Sequence, residues 1–463
     1  MVMNAMTSKK QKIILAALAV AFSMNAQALD LLDTWQAALN RDPEYLASRY
    51  AQMAGEKRRD QALALWLPTI VATGTTGVMS SNSRTTGAQF YNSQMSSSPF
   101  NNSTFNTSIN GGNLNTYAFT LQQPIFNLEK LAQARQLKLS ANASDLQQKI
   151  GYQNLIMLVA ERYFDLLQAQ ENLYLAKKQR EAIQQMYGET QKRFNLGNVS
   201  RTDVQEASEK VELANLRVND AASEVGQREL ALQDLAGSFK GVKELNQKLV
   251  SGNMKLASLE DYVQRLKSQS PGVKLSEMEQ LTLKQELEKY SLASSAKLDL
   301  VASAGRDSLV GNGDYGAASN ATTNNMVGLK LTVPLFTGGY RSARQNELIN
   351  LVEKAKYDHE KIVLDNERAL RTIWFSVKSS HDRIAMLTSR KKASQERLSF
   401  TRTAHGTGSR TTMELLGAES DAIAAEHELY AEKVNFILNR MRLDAMVGEL
   451  TDAQLEQANK LLM

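Results

Sequence analysis

Cysteine is absent from the 463 residues, which excludes a disulfide framework, thiol chemistry and the lipid-bearing cysteine of a lipoprotein. Membrane attachment, if any, has to come from the fold. Proline is scarce, at 6 in the whole chain, so helices can run long without a break. The four histidines, His359, His381, His405 and His427, lie scattered along the chain. With no H-E-x-x-H, G-x-S-x-G or phosphate loop beside them, no enzymatic constellation forms, and neither a cofactor nor a metal is expected. Past the first residues no apolar run reaches the ~20 residues of a membrane-spanning helix. Strong charge of one sign is missing too. The formal net charge of +5 includes Lys9, Lys10 and Lys12, leaving about +2 beyond them, which argues against a nucleic-acid partner.

Those three lysines precede an apolar run from Ile13 to Phe22, and Ala26-Gln27-Ala28 follows as a small-x-small cleavage site. The pattern predicts a secretory signal peptide over 1–28, with the mature chain starting at Leu29. A short membrane anchor fits less well, because the run falls far short of spanning length.

Length alone would suggest about three domains, but the chain repeats itself. Pro43 after Asp42 and Pro271 after Ser270 each read as an N-cap followed by a first-turn proline. Pro124 in Gln123-Pro124-Ile125-Phe126 and Pro334 in Val333-Pro334-Leu335-Phe336 each close a strand-like segment before a long helical one. The two pairs are separated by 228 and 210 residues. Ser200-Arg201-Thr202 matches Ser409-Arg410-Thr411 at an offset of 209, and Tyr163-Phe164 matches Trp374-Phe375 at 211. Linked matches of this kind indicate internal duplication. Residues 29–246 form the first repeat, with strands about 67–79 and 114–126, a long helix 128–195 and a return helix 201–235. Residues 247–463 form the second, with strands about 298–307 and 326–336, a long helix 341–405, a return helix 410–447 and a C-terminal tail. At 1.5 Å per residue the first long helix would extend about 100 Å.

Helices of that length must pack along their sides. Val204, Val211, Val218 and Val225 recur every seventh residue, with Ala207, Ala214 and Ala221 between them, a coiled-coil seam of small side chains. Leu416, Ile423, Tyr430 and Ile437 keep the same period in the second repeat. The segments ahead of the long helices alternate instead. Tyr117, Phe119, Leu121 and Ile125 share one face, as do Val327, Leu329, Leu331 and Val333, opposite polar or small neighbours. Each is close to the ~9–11 residues of a tilted transmembrane strand. Trp66, Phe126, Phe336 and Tyr340 lie at their ends, where aromatics favour a membrane interface. Residues 80–113 and 308–325, rich in Ser, Asn, Thr and Gly, read as polar loops. Two hairpins on a soluble core are the competing reading. Four strands cannot close a barrel, so a membrane barrel would be shared, by three chains rather than two if it is to leave a lumen.

This duplicated order, with its Q-P-I-F and V-P-L-F-T-G-G junctions and the turn Arg193-Phe194-Asn195-Leu196-Gly197 before Ser200-Arg201-Thr202-Asp203-Val204, resembles the TolC family of outer-membrane efflux and secretion channels. The resemblance covers nearly all of the chain beyond the leader. It implies a mainly α fold with a small transmembrane β part. The expected assembly is a homotrimer whose 12-stranded barrel in outer-membrane lipid continues as a 12-helix periplasmic barrel. It also implies partners, a periplasmic membrane-fusion adaptor and an inner-membrane ABC or RND-type transporter, with drug efflux or type I protein secretion as the task. The stretches 236–257 and beyond Gly448 lack clear period and fall, by resemblance, to a small mixed collar.

In the family the tunnel closes at its periplasmic turns. By motif match Thr202 and Asp203 would face Arg410 and His405, the latter at a position where the family typically has tyrosine. The acidic pair that narrows the lumen maps onto Glu414 and Gly417, so one acid is kept and one lost. Three Glu414 carboxylates in a trimer would still favour cations. If His405 bonds Asp203, closure would respond to pH near neutrality. Ser200 and Asp203 also read as a capping box, and Ser409 as a cap for the other return helix. The alternative to a channel is a periplasmic adaptor or coiled-coil spacer. An adaptor should carry one helical hairpin inside several β domains, and a spacer has no use for alternating strands with aromatic ends.

Overall fold

A computed structural model describes residues 28–90, 94, 100–250 and 256–462. The leader expected over 1–28 lies, but for Ala28, outside the described residues. The elements run α1 (Leu31–Ala38), α2 (Pro43–Ala64), β1 (Thr69–Phe90), β2 (Phe100–Asn127), α3 (Leu128–Asn195) and α4 (Arg201–Ala236), then α5 (Leu259–Gln269), α6 (Pro271–Glu288), β3 (Lys297–Gly313), β4 (Gly316–Thr332), α7 (Tyr340–Gly406), α8 (Thr412–Met446) and α9 (Asp452–Asn459). Among the described residues no helix is long and apolar enough to cross a membrane. The chain divides into two compact units: Met53–Ser144 with Glu277–Asp358, and the remaining segments, Asp145–Ser276 and the stretches up to Gln52 and from His359.

The first unit is built on one antiparallel sheet in the order β1-β2-β3-β4. β2 passes into α3 without a loop, because the Asn127 side chain accepts a hydrogen bond from the Lys130 amide at 2.9 Å and caps the helix. The strands reach much further than their alternation suggests. β1 continues to Phe90, β2 begins at Phe100, and β3 and β4 meet at Gly313 and Gly316. The stretches 80–113 and 308–325 are therefore mostly ladder rather than loop. Ser81 faces Ile109, Thr85 faces Phe105, and Leu309 faces Asn320. Periodicity reports burial, whereas a ladder needs only backbone groups, so strands polar on both faces escape a hydropathy reading.

The two proline junctions also differ. Pro124 stays within β2 opposite Asp299, at a register shift, whereas β4 stops at Thr332 and not at 336. Pro334 has no amide to give a ladder. Gly338 and Gly339 then turn the chain at φ 63° and 81°, leaving Leu335 and Phe336 almost fully exposed.

The second unit carries the main apolar core. Leu155, Ile156, Val159, Ala160, Tyr163, Phe164, Leu166 and Leu167 of α3 pack with Leu31 and Trp35 of α1, Leu232 and Leu235 of α4, and Leu429, Val434 and Ile437 of α8. The return helices bury small side chains, as a close seam requires: Ala214, Val218 and Ala221 in α4. In α8 the buried line is Leu415, Ala418, Ala422, Ala425 and Leu429, one position away from Leu416 and Ile423, which are half-buried. The stretch after α4 is pinned by backbone pairing, with Leu29 bridging Val242 and Leu245 bridging Leu462. The buried Tyr163 hydroxyl lies 2.9 Å from the Lys243 carbonyl and 3.1 Å from that of Leu29.

Candidate gate and membrane wall

Both helix-to-helix turns lie in the second unit and are built alike. After α3 the Asn198 amide donates to the Arg193 carbonyl at 2.9 Å, with Gly197 at φ 78°. After α7 the Ser409 amide donates to the Ala404 carbonyl at 3.0 Å, with Gly408 at φ 79°. Each turn needs a left-handed residue at the helix end, which glycine supplies without a Cβ clash.

The return helices start on matching capping boxes. Ser200 Oγ accepts from the Asp203 amide at 3.1 Å while the Asp203 carboxylate accepts from the Ser200 amide at 2.8 Å. Thr411 Oγ1 accepts from the Glu414 amide at 3.2 Å, and the Glu414 carboxylate accepts from the Thr411 amide at 2.8 Å. Thr411, not Ser409, therefore caps α8. Ser409 donates its hydroxyl to the Ala404 carbonyl instead. The structural equivalence is thus Ser200 with Thr411 and Asp203 with Glu414, two residues out of step with the Ser-Arg-Thr match. Tyr163-Phe164 and Trp374-Phe375 already had this spacing.

The expected gate residues have local partners within the chain. Arg410 donates to the Glu414 carboxylate at 2.5 Å, not to Asp203. Glu414 is held below the usual carboxylate range by the Thr411 amide, by Arg410 and by the Thr411 hydroxyl. His405, 6% exposed, places Nε2 3.3 Å from Thr412 Oγ1 and not against Asp203. Thr202 and Asp203 are exposed. Gly417 has open space where a side chain would project. His405 lines a cavity of about 650 Å³ with Met186, Glu189, Arg193, Arg402, Leu415 and Glu419, where Arg402 pairs with Glu419 at 3.2 Å.

Above its turn the α7–α8 hairpin is held by an ion-pair ladder that sequence periodicity did not reveal. Every cation is on α7 and every acid on α8: Arg397 with Asp421, Lys391 with Glu426 at 2.6 Å, Arg390 with Glu428, and Arg383 with Glu432 at 3.2 Å. Most rungs are exposed and worth little each. Lys391 and Glu426 are the better shielded pair, at 22% and 18% side-chain exposure.

In the first unit cross-strand pairing sorts the sheet into two faces, since paired residues project to the same side. Ile70 pairs with Leu121, Leu121 with Ala302, and Ala302 with Val327. Phe119, Tyr117, Leu329 and Leu331 extend this face. Tyr117, Phe119, Val327, Leu329 and Leu331 are all more than 60% exposed. The other face carries Thr69, Gln122, Ser303, Asp307 and Thr322, and Gln122 donates to Asp299 at 2.8 Å. β1 and β4 each keep one edge unpaired among the described residues. Nowhere among the described residues do three His, Asp or Glu side chains gather as a metal site would need.

A family model described as "Outer membrane efflux protein" matches residues 34–238 and 278–449. The chain is similar to the alkaline protease secretion protein AprF of Pseudomonas aeruginosa, with 26% identity over 93% of this chain and 87% of that protein. It is also similar to the outer membrane protein TolC of Escherichia coli, with 26% identity over 95% and 86% of the two chains. Among solved structures the outer membrane protein VceC of Vibrio cholerae has the same fold, with a TM-score of 0.70 at 14% identity over 90% of this chain and 96% of that one.

Proposed function

The chain belongs to the outer membrane efflux protein family, and from that premise we propose that it is the exit duct of a tripartite export system, carrying drugs or a type I secreted protein through the outer membrane. It resides in the outer membrane and extends into the periplasm. The observation that carries the reading is the sheet: one face apolar and exposed, the other polar, both edges open. Lipid solvates the apolar face and tolerates no open edge. Three copies supply twelve strands, and a barrel of that width keeps a polar lumen where eight strands would fill with side chains. The functional unit is therefore a homotrimer, docking a periplasmic membrane-fusion adaptor and an ABC or RND-type inner-membrane transporter.

Thr202, Asp203, His405 and Arg410 form the periplasmic gate, acting between neighbouring protomers, and three Glu414 carboxylates ring the lumen. Exposure of Asp203 and Arg410 on the turns supports this, since each keeps donor or acceptor capacity beyond its local bond. Light scattering on detergent-extracted protein tests the assembly. A mass of three chains and discrete conductance steps in planar bilayers are expected. A monomer, or a protein that salt alone releases from membranes, would overturn the channel in favour of an adaptor or spacer.

A further inference from the structure

A cavity of about 480 Å³ opens in the second unit between α3, α8 and the segment that follows α4. Leu167 and Leu245 give it apolar walls, Tyr174 an exposed phenol, and Glu171 and Glu244 two carboxylates. Neither carboxylate has an ion-pair partner among the described residues. The neighbouring Glu426 is, by contrast, held by Lys391 at 2.6 Å and Lys178 at 3.6 Å. Burial, followed by the like charges of Glu426 and then Glu244, pushes the Glu171 carboxyl up against the opposing pull of Lys391 and Lys178. Tyr430, only 4% exposed, lines the same cavity. Its hydroxyl takes no hydrogen bond among the described residues, and the charges its ionisation meets are those of Glu171 and Glu244.

The Tyr430 side chain is buried, but its hydroxyl, unpaired among the described residues, stays open to the cavity, and Glu171 is half-buried with Lys391 and Lys178 near it but neither paired to it. Here both border one space, and a ligand with several N–H donors would satisfy them together. Lys248 also lines the cavity, but it is exposed and can turn to solvent. The buried Lys433 ammonium is committed to the Gln247 carbonyl, which anchors the segment bearing Glu244. We propose that this cavity binds a small organic amine, its ammonium held between Glu171 and Glu244 and donating to the Tyr430 hydroxyl. The space is far larger than a metal ion. It has aromatic and aliphatic walls suited to an alkyl ammonium, and no set of three acidic or imidazole ligands forms there.

Calorimetric titration of the detergent-purified full-length protein with putrescine tests the assignment. Saturable binding at one site per chain is expected. Glu171→Gln and Glu244→Gln should each weaken it about tenfold or more, as loss of a charged hydrogen bond would. Tyr430→Phe, which keeps the ring, should weaken it roughly two- to tenfold. Glu244 is exposed, so its variant folds even if the Glu171 variant does not. Absence of saturable heat at millimolar putrescine, affinity unchanged in Glu244→Gln, or displacement of putrescine by equimolar magnesium would each overturn the proposal.

Discussion

Replacing Asp203 separates the two jobs that its position offers. Its carboxylate accepts from the Ser200 amide at 2.8 Å and from the Ser200 hydroxyl at 3.0 Å, and as a capping-box acceptor an amide oxygen serves almost as well. Asp203→Asn therefore keeps α4 capped, while Asp203→Ala removes the acceptor and costs about 1 kcal/mol at the helix start. A gate link to Arg410 of a neighbouring chain needs the charge. An exposed pair of this kind contributes about 0.5 kcal/mol. Three symmetric copies lost together amount to about 1.5 kcal/mol, roughly tenfold in the ratio of open to closed channels. Single-channel recording in planar bilayers should show Asp203→Asn open about ten times as often as the parent, with less gain at high salt because the lost attraction is screened there. Amide exchange over 200–206 should be unchanged in Asp203→Asn and faster in Asp203→Ala. The gate role is refuted if Asp203→Asn conducts like the parent and only Asp203→Ala opens, for then the residue serves the helix alone.

Three further outcomes follow from burial and pairing. Tyr163→Phe should lower unfolding stability by about 1–3 kcal/mol in denaturant titrations, since it strips the hydroxyl from the Lys243 and Leu29 carbonyls. Burial works to raise the Asp30 carboxyl, but the Asp33 amide, Lys243 and Asn459 outweigh it and leave the group lowered. Its stabilisation is thus complete above about pH 4 and lost as pH falls through the folded value, so the gap between parent and Asp30→Asn in thermal melts should close in acid. On the apolar face of the sheet, Leu329→Arg should cost up to about 2–4 kcal/mol and reduce assembly into membranes, whereas Thr322→Arg on the polar face should be tolerated; equal effects would mean that the faces are misassigned.

The helices and the lipid-facing parts of the strands are legible because both patterns mark a continuous apolar face. Leu128 to Asn195 carries no proline, and Val327, Leu329 and Leu331 alternate with small or polar neighbours. The distal halves of the strands are not, because Asn, Ser and Thr on both faces leave the backbone ladder without a hydropathy trace. Nor could sequence find the cavity between Glu171, Glu244 and Tyr430, whose members are brought together only by the packing of α3, α8 and the segment after α4. The cap of α8 departs from the sequence expectation for a more local reason. Ser409 is by residue type the slightly better N-cap, and only the turn geometry after Gly408 selects Thr411.

The two-residue shift between the turns changes which residues correspond at the proposed gate. Aligned by their turns, Phe194 stands where His405 stands and Val199 where Arg410 stands, while the glycines, the hydroxyl caps and the acids at the third helical position coincide. What the repeats share in this region builds the turn, and every shared residue is accounted for by a backbone requirement. Among the positions that differ, His405 and Arg410 put an imidazole and a guanidinium where the first turn has Phe194 and Val199, and the first turn folds without them. Under the proposed gate, Arg410 and His405 are the residues that would let the second turn do something the first does not. Converting it with Arg410→Val and His405→Phe should leave the α7–α8 hairpin as protected from exchange as before and raise conductance. A hairpin that frays at 400–415 would instead show that these two side chains are needed for the turn itself.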